Sequence, residues 1–379
     1  MRYLLRKLKF LLSMQGKAEQ EDEDDLKLRE KLSPHLKNNL ETIQVLFGNS
    51  CDITMREFYF GSKSQVHAAL VFIDGLVDKR VINESIVRPL IYDTHLIRNR
   101  ALDESNIKVI LRSFLAVGDA SEKTIFSEVL ESLLYGNAIF MLEGSDHCLE
   151  INAKGWKTRA INEPKVEQTV RGPREGFTET LCTNMAMLRR KIQSPNLVFE
   201  QMVLGKRTHT LVCLAYVNGT APPALVEEVK RRLTLIKTDD ILESGYIEQF
   251  IEDAHYSPFA TVGNSEKPDR VAARMLEGRV AILVDGTPFV LTVPSLFIEG
   301  FQASEDYYSR PYYASFVRII RFISFGITLL APGIYVALES FHPELIPTPL
   351  VLTMASAVEG TPFPAAVEAL LMITVFELL

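Results

Sequence analysis

An uncharged apolar run near the carboxyl end, FISFGITLLAPGIYVAL at Phe322–Leu338, constrains the fold of this chain more than any other feature. With its apolar flank it is long enough to cross a hydrocarbon core as a tilted helix, which we expect over about residues 316–338. Arg310, Arg318 and Arg321 precede the run, and no Lys or Arg follows it. The positive-inside rule therefore predicts that everything before the helix lies in the cytoplasm.

Prolines interrupt the apolar sequence from this run onward. Pro332 lacks a backbone N–H, which predicts a kink or local unwinding inside the first span. The uncharged stretch that follows is short for a full span, so we expect a re-entrant or broken helix over about residues 345–362 and a partial helix over 365–379. Pro362 and Pro364 stand where these two pieces meet and are candidate hinge residues.

Carboxylates in this apolar region are candidates for an ion path. Glu359 and Glu368 lie in or beside it, and an ionisable group at membrane depth is costly enough to be a functional candidate by default. Glu377 follows Glu368 at a spacing that puts the two about half a turn out of phase on one helix. One of them is then able to line a water path while the other meets a partner subunit or an interface.

The formal charge of −7 is uneven, since the glutamates after Arg321 leave the remainder close to neutral. No basic surface is indicated, so nucleic acid is not an expected partner. The nucleotide and metal motifs GxxxxGK[ST], GxGxxG and HExxH do not occur, and neither does the nucleophile motif GxSxG. We therefore expect no enzyme activity, no cofactor and no metal.

The cysteines are scattered along the chain and never form a CxxC pair. In a domain expected to be cytoplasmic, this favours reduced and mostly buried thiols over a disulfide framework. The four residues are Cys51, Cys148, Cys182 and Cys213.

The amino-terminal segment, residues 1–30, combines a basic amphipathic stretch with an acidic linker. Leucines fall on one helical stripe between Arg and Lys residues, which is typical of a helix that lies on a membrane surface. A helix docked on its own domain, or a frayed tail, fits the same pattern. The acidic run at residues 19–25 is typical of a solvated linker.

The region between the tail and the membrane part contains two related halves, predicted as residues 31–163 and 164–304. Each half has apolar strands, one of which ends at an acid–Gly pair, with helical stretches between them. We align Val71 with Val212 and Gly136 with Gly278, and the two pairs are offset along the chain by almost the same distance. The near-constant offset predicts an internal duplication of an α/β unit, with sheets covered on both faces or packed against helices.

The motif VRGPREGF at residues 170–177 is the second candidate site. A Gly-Pro turn separates two arginines, and the motif leads into a helix that we expect to continue to Ile192. Arginines at a helix amino end are able to hold an anion, although a capped helix tying the two halves or neighbouring subunits together is the favoured interpretation. The candidate residues are Arg171, Gly172, Pro173, Arg174, Glu175 and Gly176.

Six long stretches of the sequence carry a family resemblance: VRGPREGF at 170–177, LVDGTPFVLTVPSLF at 283–297, RPYYASFVRIIRF at 310–322, LLAPGIYVAL at 329–338, FHPELIPTPL at 341–350 and EGTPFPAAVEALLMITVFELL at 359–379. With these stretches the sequence resembles the A subunit of spore germinant receptors, the GerA (GerABKA) spore germination protein family. The resemblance covers most of the chain from about Leu40 onward.

The resemblance implies a nutrient-sensing subunit in the inner spore membrane, with two α/β subdomains in the cytoplasm followed by α-helical transmembrane segments. It also implies a transporter-like B subunit and a C-subunit lipoprotein as partners, contact with membrane lipid, and A-subunit homo-oligomers that form a ligand-gated ion channel. Family members continue through further membrane helices, so we expect the membrane part, residues 305–379, to be truncated.

Two other function classes remain open at this stage. A membrane-tethered scaffold would use the α/β pair to bind protein partners and have no conductance of its own. A tethered enzyme or small-molecule sensor would use the arginines of the VRGPREGF motif, and we rank it last.

Overall fold

The computed structural model describes residues 28–60, 66–93, 120–156, 167, 172–253, 257, 259–302, 305–308, 310–358 and 363–378. The chain forms two compact units, Met1–Phe297 and Ile298–Leu379. The predicted amphipathic tail and the predicted boundaries near residues 163 and 304 fall outside the described residues.

The first unit begins with one five-stranded antiparallel sheet and its helices, here called the first repeat. The strand order in the sheet is β1-β2-β4-β5-β3. Its elements in chain order are α1 (Leu36–Leu46), β1 (Ile53–Phe60), β2 (Val66–Ile73), α2 (Lys79–Val81) continued by π-helical turns at Ile82–Val87 and Pro89–Asp93, β3 (Ala120–Lys123), α3 (Phe126–Leu134), β4 (Ala138–Leu142) and β5 (Cys148–Ile151).

A second five-stranded antiparallel sheet with its helices, the second repeat, completes the first unit. Its strand order, β6-β7-β9-β10-β8, is that of the first sheet. The elements are α4 (Leu181–Lys191), β6 (Leu197–Leu204), β7 (Thr210–Val217), α5 (Pro223–Leu235), α6 (Ser244–Ile251), β8 (Gly263–Ser265), α7 (Pro268–Leu276), β9 (Val280–Val284) and β10 (Val290–Val293).

The predicted duplication is supported by this common strand order, but one of its two alignments is wrong. Ile139 of β4 and Ala281 of β9 take equivalent places, with the offset that the aligned glycines predict. Val71 pairs with Ile139 across the first sheet, and Ala215 pairs with Ala281 across the second. Val71 therefore corresponds to Ala215 and not to Val212. The sequence does not reveal this slip, because a shift along a continuous apolar strand leaves its apolar character unchanged.

Both faces of each sheet are covered, as the unbroken apolar strands indicate. In β2, Ala68, Leu70 and Phe72 face a core that includes the π-helical turns, while Val71 and Ile73 face a core built with α1 and α3. The second sheet repeats this arrangement, with α4 and α7 on one face and α5 and α6 on the other. Apolar burial on both sides explains why these strands lack polar alternation.

A buried asparagine clasps the segment before the first helix of each repeat. Ser33 N donates to Asn39 Oδ1 at 2.9 Å, and Asn39 Nδ2 donates back to Ser33 O at 2.7 Å. Thr178 and Asn184 form the same pair of bonds at 2.8 and 2.6 Å. Each clasp holds the preceding backbone out of the helix and satisfies a buried amide, since both asparagines are almost fully buried.

An acidic residue from the sheet caps the same helix in each repeat. Leu36 N donates to Glu143 Oε2 at 2.9 Å, and Leu181 N donates to Asp285 Oδ1 at 3.0 Å. Glu143 and Asp285 thus take equivalent positions, with the offset that the aligned glycines Gly136 and Gly278 predict. A carboxylate at a helix amino end accepts a hydrogen bond from a free backbone N–H, and its negative charge is attracted to the positive end of the helix dipole.

The second unit consists of helices. It begins within a 3₁₀ turn at Phe297–Phe301. The elements that follow are α8 (Glu305–Tyr308), α9 (Pro311–Ser340), a 3₁₀ turn at Pro343–Leu345, α10 (Thr348–Val358) and α11 (Ala365–Leu378). Among the helices of the described residues, α9 is the one long and apolar enough to cross a membrane, by length and composition.

Helix α9 extends beyond the expected span of 316–338 at both ends. Local unwinding at Pro332 does not occur, since α9 is helical through this position. The turns on either side of Pro332 retain their own hydrogen bonds, so the loss of one bond does not end the helix.

Candidate functional site at the junction of the two repeats

A buried ion pair joins the two repeats. Arg189 of α4 donates from Nε to Asp52 Oδ2 and from Nη2 to Asp52 Oδ1, both at 2.9 Å. Ser50 supports the pair, because its hydroxyl donates to Asp52 Oδ1 at 2.6 Å and accepts from Phe199 N at 2.9 Å. The guanidinium and the carboxylate are therefore both held in a fork geometry by charge-assisted bonds.

Aromatic rings enclose the Arg189 guanidinium from both repeats. Its carbon lies 5.0 Å from the ring centroid of Phe199 and 5.8 Å from that of Phe47. The remaining nitrogen, Nη1, donates to Ser194 O at 3.0 Å. Each arm of the guanidinium thus has an acceptor, which offsets much of the desolvation cost of burying the charge.

The ion pair breaks the symmetry of the duplication. Counted from the first residue of each helix, Gln44 of α1 takes the place that Arg189 takes in α4. Sequence reasoning missed Arg189, because Arg190 and Lys191 follow it directly and all three resemble the basic end of a helix. The available signal in the sequence was that equivalent positions of the two repeats hold an uncharged residue, Gln44, and a charged one, Arg189.

A close backbone contact forms the second part of the junction. Gly75, in the turn after β2, has φ +83°, and a Cβ built there would lie 2.8 Å from Ala186 Cβ and 3.1 Å from Cys182 O. Glycine is required at this position by its left-handed conformation and by the approach of α4. Gly48 approaches β6 in a similar way, since its Cβ would lie 2.9 Å from Val198 Cγ2.

A cleft of about 410 Å³ opens beside Gly75. Two of its cationic side chains have partners in the lining: Lys79 Nζ lies 2.8 Å from Asp74 Oδ1, and the Arg190 guanidinium lies 5.1 Å from the centroid of the Trp156 ring. The hydrogen bond from Lys79 to Asp74 raises the pKa of Lys79. Its lining residues are Asp74, Gly75, Val77, Asp78, Lys79, Arg80, Gly155, Trp156, Thr180, Cys182, Thr183, Ala186, Met187 and Arg190.

The cysteine that lines this cleft has a raised pKa. Burial, followed by the charge of Asp74, raises the pKa of the Cys182 thiol, which disfavours a reactive thiolate there. Across the described parts of the chain, no group of three or more His, Cys, Asp or Glu side chains is arranged to hold a metal ion. The junction is thus built to fix one repeat against the other.

The VRGPREGF motif lies away from the helix amino end at which we expected it. Helix α4 begins at Leu181, because the clasp of Asn184 keeps Thr178 extended, so Glu175 is not in its first turn. Glu175 instead lies 3.5 Å from Lys191 and 3.8 Å from Arg190, at the carboxyl end of the helix. Glu175 of the motif thus contacts the basic carboxyl end of α4 and not its amino end.

The other residues of the motif divide between surface and core. Gly172 and Arg174 are exposed, Pro173 is half-buried and Gly176 is buried. Phe177, which follows them, is buried and donates from its backbone N to Glu266 O at 2.8 Å. Arg171 lies outside the described residues.

Of the four candidate residues in the membrane region, two lie within the described residues. Glu359 and Pro362 lie outside the described residues. The structure brings Pro364 and Glu368 together at the start of α11, where Glu368 N donates to Pro364 O at 3.1 Å. Glu368 Oε2 is buried, and no hydrogen-bond partner for it occurs among the described residues.

An acidic residue that the sequence analysis did not consider pairs with the arginines before the apolar run. Asp306 Oδ2 lies 2.7 Å from Arg321 Nη1 and 3.2 Å from Arg318 Nε, and the aspartate side chain is 4% exposed. Arg321 also donates to Phe301 O at 3.0 Å. These bonds fix the amino-terminal half of α9 to the segment that precedes it.

Comparison with known proteins agrees with this architecture. Residues 41–379 match a family model described as "Bacillus/Clostridium GerA spore germination protein". The chain is 43% identical to Spore germination protein KA of Bacillus subtilis (strain 168) and 42% identical to the uncharacterized membrane protein YfkQ of the same strain, over 92% of this chain in each case. It spans 63% and 66% of the lengths of these relatives.

A solved structure resembles the first unit. It is the crystal structure of the N-terminal domain of the A subunit of the Bacillus megaterium spore germinant receptor GerK3, with a TM-score of 0.56 and 36% sequence identity. The match covers 71% of this chain and 98% of that one. The fold of most of this chain is therefore similar to a receptor domain of known structure.

Proposed function

The chain belongs to the Bacillus/Clostridium GerA family of spore germination proteins, and on this premise we propose that it is the A subunit of a nutrient (germinant) receptor that triggers spore germination. The observation that carries the proposal is the order of its parts. A duplicated α/β unit, similar to an A-subunit N-terminal domain over 98% of that domain, precedes a 30-residue apolar helix.

The proposal places the duplicated unit in the cytoplasm and the helices from α9 onward in the inner spore membrane. The positive charges of Arg310, Arg318 and Arg321 at the amino-terminal part of α9, and the absence of Lys and Arg over residues 322–379, support this orientation. The proposed partners are a transporter-like B subunit and a C-subunit lipoprotein. The proposed role is signalling and not catalysis.

In the finer form of the proposal, A subunits assemble into an oligomeric ion channel that nutrient binding on the B subunit opens. Glu359, Glu368, Pro362 and Pro364 form its ion path or hinge. The buried oxygen of Glu368 supports this assignment, because a carboxylate on an apolar helix is costly unless it has a role.

A gene deletion tests the receptor role. Spores that lack the full-length gene are expected to lose the fall in optical density that one nutrient class triggers, and complementation is expected to restore it. A trigger that bypasses nutrient receptors serves as the control and is expected to work in both strains. Unchanged nutrient germination across amino acids and sugars would contradict the proposal.

Liposome potassium flux tests the channel role. In the full-length receptor, E359Q and E368Q are expected to reduce conductance or change selectivity, whereas the matched variant E377Q is expected to change them less. Unchanged conductance and selectivity would exclude both carboxylates from the ion path. If no oligomer conducts and residues 31–304 capture partners in a pull-down, the membrane-tethered scaffold replaces the channel.

A further inference from the structure

The segment before α9 neutralises part of the charge of that helix. Asp306 accepts hydrogen bonds at one carboxylate oxygen from Arg321 Nη1 at 2.7 Å and from Arg318 Nε at 3.2 Å. The aspartate side chain is 4% exposed, and each arginine side chain is 33% exposed. Arginines outnumber acids over residues 305–321, so this part of the chain keeps a net positive charge. A net charge is costly in hydrocarbon and is stabilised by water or by lipid phosphate.

Phe301 marks the level at which the contacts of α9 change from polar to apolar. Its carbonyl oxygen accepts a hydrogen bond from Arg321 Nη1 at 3.0 Å. Its ring stacks on that of Phe322, with 5.0 Å between the centroids, and meets the ring of Phe325 edge-on at 5.1 Å. The polar and the apolar part of one residue thus contact, respectively, the last arginine before the apolar run and the first residue of that run.

The length of the uncharged section of α9 fits a hydrocarbon core. Arg321 and Glu339 are the charged residues that delimit this section, and about 27 Å of helix separates them at about 1.5 Å per residue. A typical core is about 30 Å thick, and local thinning of the bilayer absorbs a difference of a few Å. The turns of α9 from Pro311 to Arg321 add about 16 Å. The core therefore has room for the section after Arg321 but not for the turns before it.

We propose that the hydrocarbon boundary lies between Arg321 and Phe322, and that the turns of α9 before it are embedded in the lipid headgroup layer with Asp306 as their counter-ion. This rests on the membrane placement of α9 under the proposed function. It moves the start of the span from the expected residue 316 to residue 322, because Arg318 and Arg321 would otherwise lie in hydrocarbon.

The exposed side chains of these turns fit the headgroup layer. Phe316 and Ile319 are more than half exposed on α9, and the exposed Tyr312 and Tyr313 precede them. Headgroups add about 5–7 Å on each side of the core, which is close to the rise from Phe316 to Arg321. Aromatic residues are favoured at this level, and arginines there are attracted to lipid phosphate. The headgroup layer therefore suits both the apolar and the cationic side chains.

Tryptophan fluorescence of the full chain in liposomes tests the boundary. Trp156 is the single tryptophan, so its signal is measured in the unsubstituted chain and subtracted from that of each variant. F316W and I319W lie before the boundary, and I327W is the matched variant at an exposed position beyond it. Lipids brominated on their acyl chains are expected to quench I327W strongly and the other two weakly. Acrylamide, a water-soluble quencher, is expected to act in the opposite order.

The two quenchers separate the outcomes. Bromine quenching of F316W and I319W that is as strong as that of I327W would place the boundary at residue 316 and overturn the proposal. Quenching of F316W and I319W by neither agent would mean that protein covers these turns, which overturns it as well. Absence of bromine quenching in I327W would contradict the membrane placement of α9 itself, and the proposal with it.

Substitution of Asp306 tests its role as the counter-ion. D306N removes the negative charge, so Arg318 and Arg321 are expected to move toward lipid phosphate and to draw α9 outward. Bromine quenching of I323W, just beyond the boundary, is then expected to fall. D306E keeps the charge and is expected to preserve the quenching. Equal quenching of I323W with Asp306 and with D306N would overturn the role of this aspartate.

Discussion

Arg189 of the second repeat and Asp52 of the first, 137 residues apart in the chain, form a two-bond ion pair in which neither side chain is more than 2% exposed. A buried charge needs a partner more than an exposed one does, because the surrounding medium does not solvate it. The pair therefore specifies how the repeats meet.

Replacement of Arg189 by Met tests the ion pair. R189M leaves the Asp52 carboxylate buried without its cation, and we expect a loss of about 3–5 kcal/mol in the free energy of unfolding. The neighbouring variant R190M removes a side chain that is 29% exposed, and we expect a loss below about 1 kcal/mol. Urea unfolding followed by circular dichroism measures both. The double variant R189M/D52L should recover much of the loss, and equal losses in R189M and R190M would contradict the buried pair.

Replacement of Gly75 by Ala tests the close approach of α4. Gly75 and Gly219 occupy equivalent turns, with φ values of +83° and +81°. Each substitution costs about 1–2 kcal/mol because of the left-handed backbone. G75A adds about 1–3 kcal/mol for the collision with Ala186 and Cys182, whereas a Cβ at Gly219 meets nothing within 4 Å. The midpoint of thermal unfolding should therefore be lower for G75A than for G219A. The reverse order would exclude a close approach of α4 to Gly75.

Replacement of the capping acids tests the duplication. E143A and D285A each remove a carboxylate that accepts the first N–H of an equivalent helix, so we expect similar losses of about 0.5–2 kcal/mol. E131A, on the exposed side of α3, is the control and should have little effect. Chemical denaturation compares the three variants. A large loss in the free energy of unfolding for one of E143A and D285A, with no loss for the other, would argue against equivalent capping.

Alkylation of Cys51 tests the lowered pKa of its thiol. A lowered pKa means that the thiolate is populated at a lower pH, so the iodoacetamide rate at Cys51 should rise with pH before the rate at Cys182, whose pKa is raised. Cys148, with a pKa raised to about 12 by burial, should stay unmodified in the folded chain. Rates come from peptide mass spectrometry across pH. Cys213 is the largest cause of the lowered pKa of Cys51, so the midpoint for Cys51 should move upward in C213A, and an unchanged midpoint would contradict that cause.

The amino-acid sequence by itself determined the elements and their repetition. Continuous apolar strands such as Ala138–Leu142 and Val280–Val284, each followed within two residues by an acid–Gly pair, predict buried strands and turns from local information alone. The turn residues also indicate how β2 of the first repeat aligns with β7 of the second. Asp74-Gly75 follows β2 as Asn218-Gly219 follows β7, and each Asx side chain accepts a hydrogen bond from the next glycine at 2.9 and 3.0 Å.

The tertiary structure decided which residues of similar type carry the junction. Arg189 and Arg190 are adjacent and chemically identical, yet the first is buried against Asp52 and the second is partly exposed beside Trp156. The partners lie in another repeat, and no periodicity within the helix encodes them. Contacts between distant segments depend on the energy of the assembled fold, which local sequence patterns do not contain.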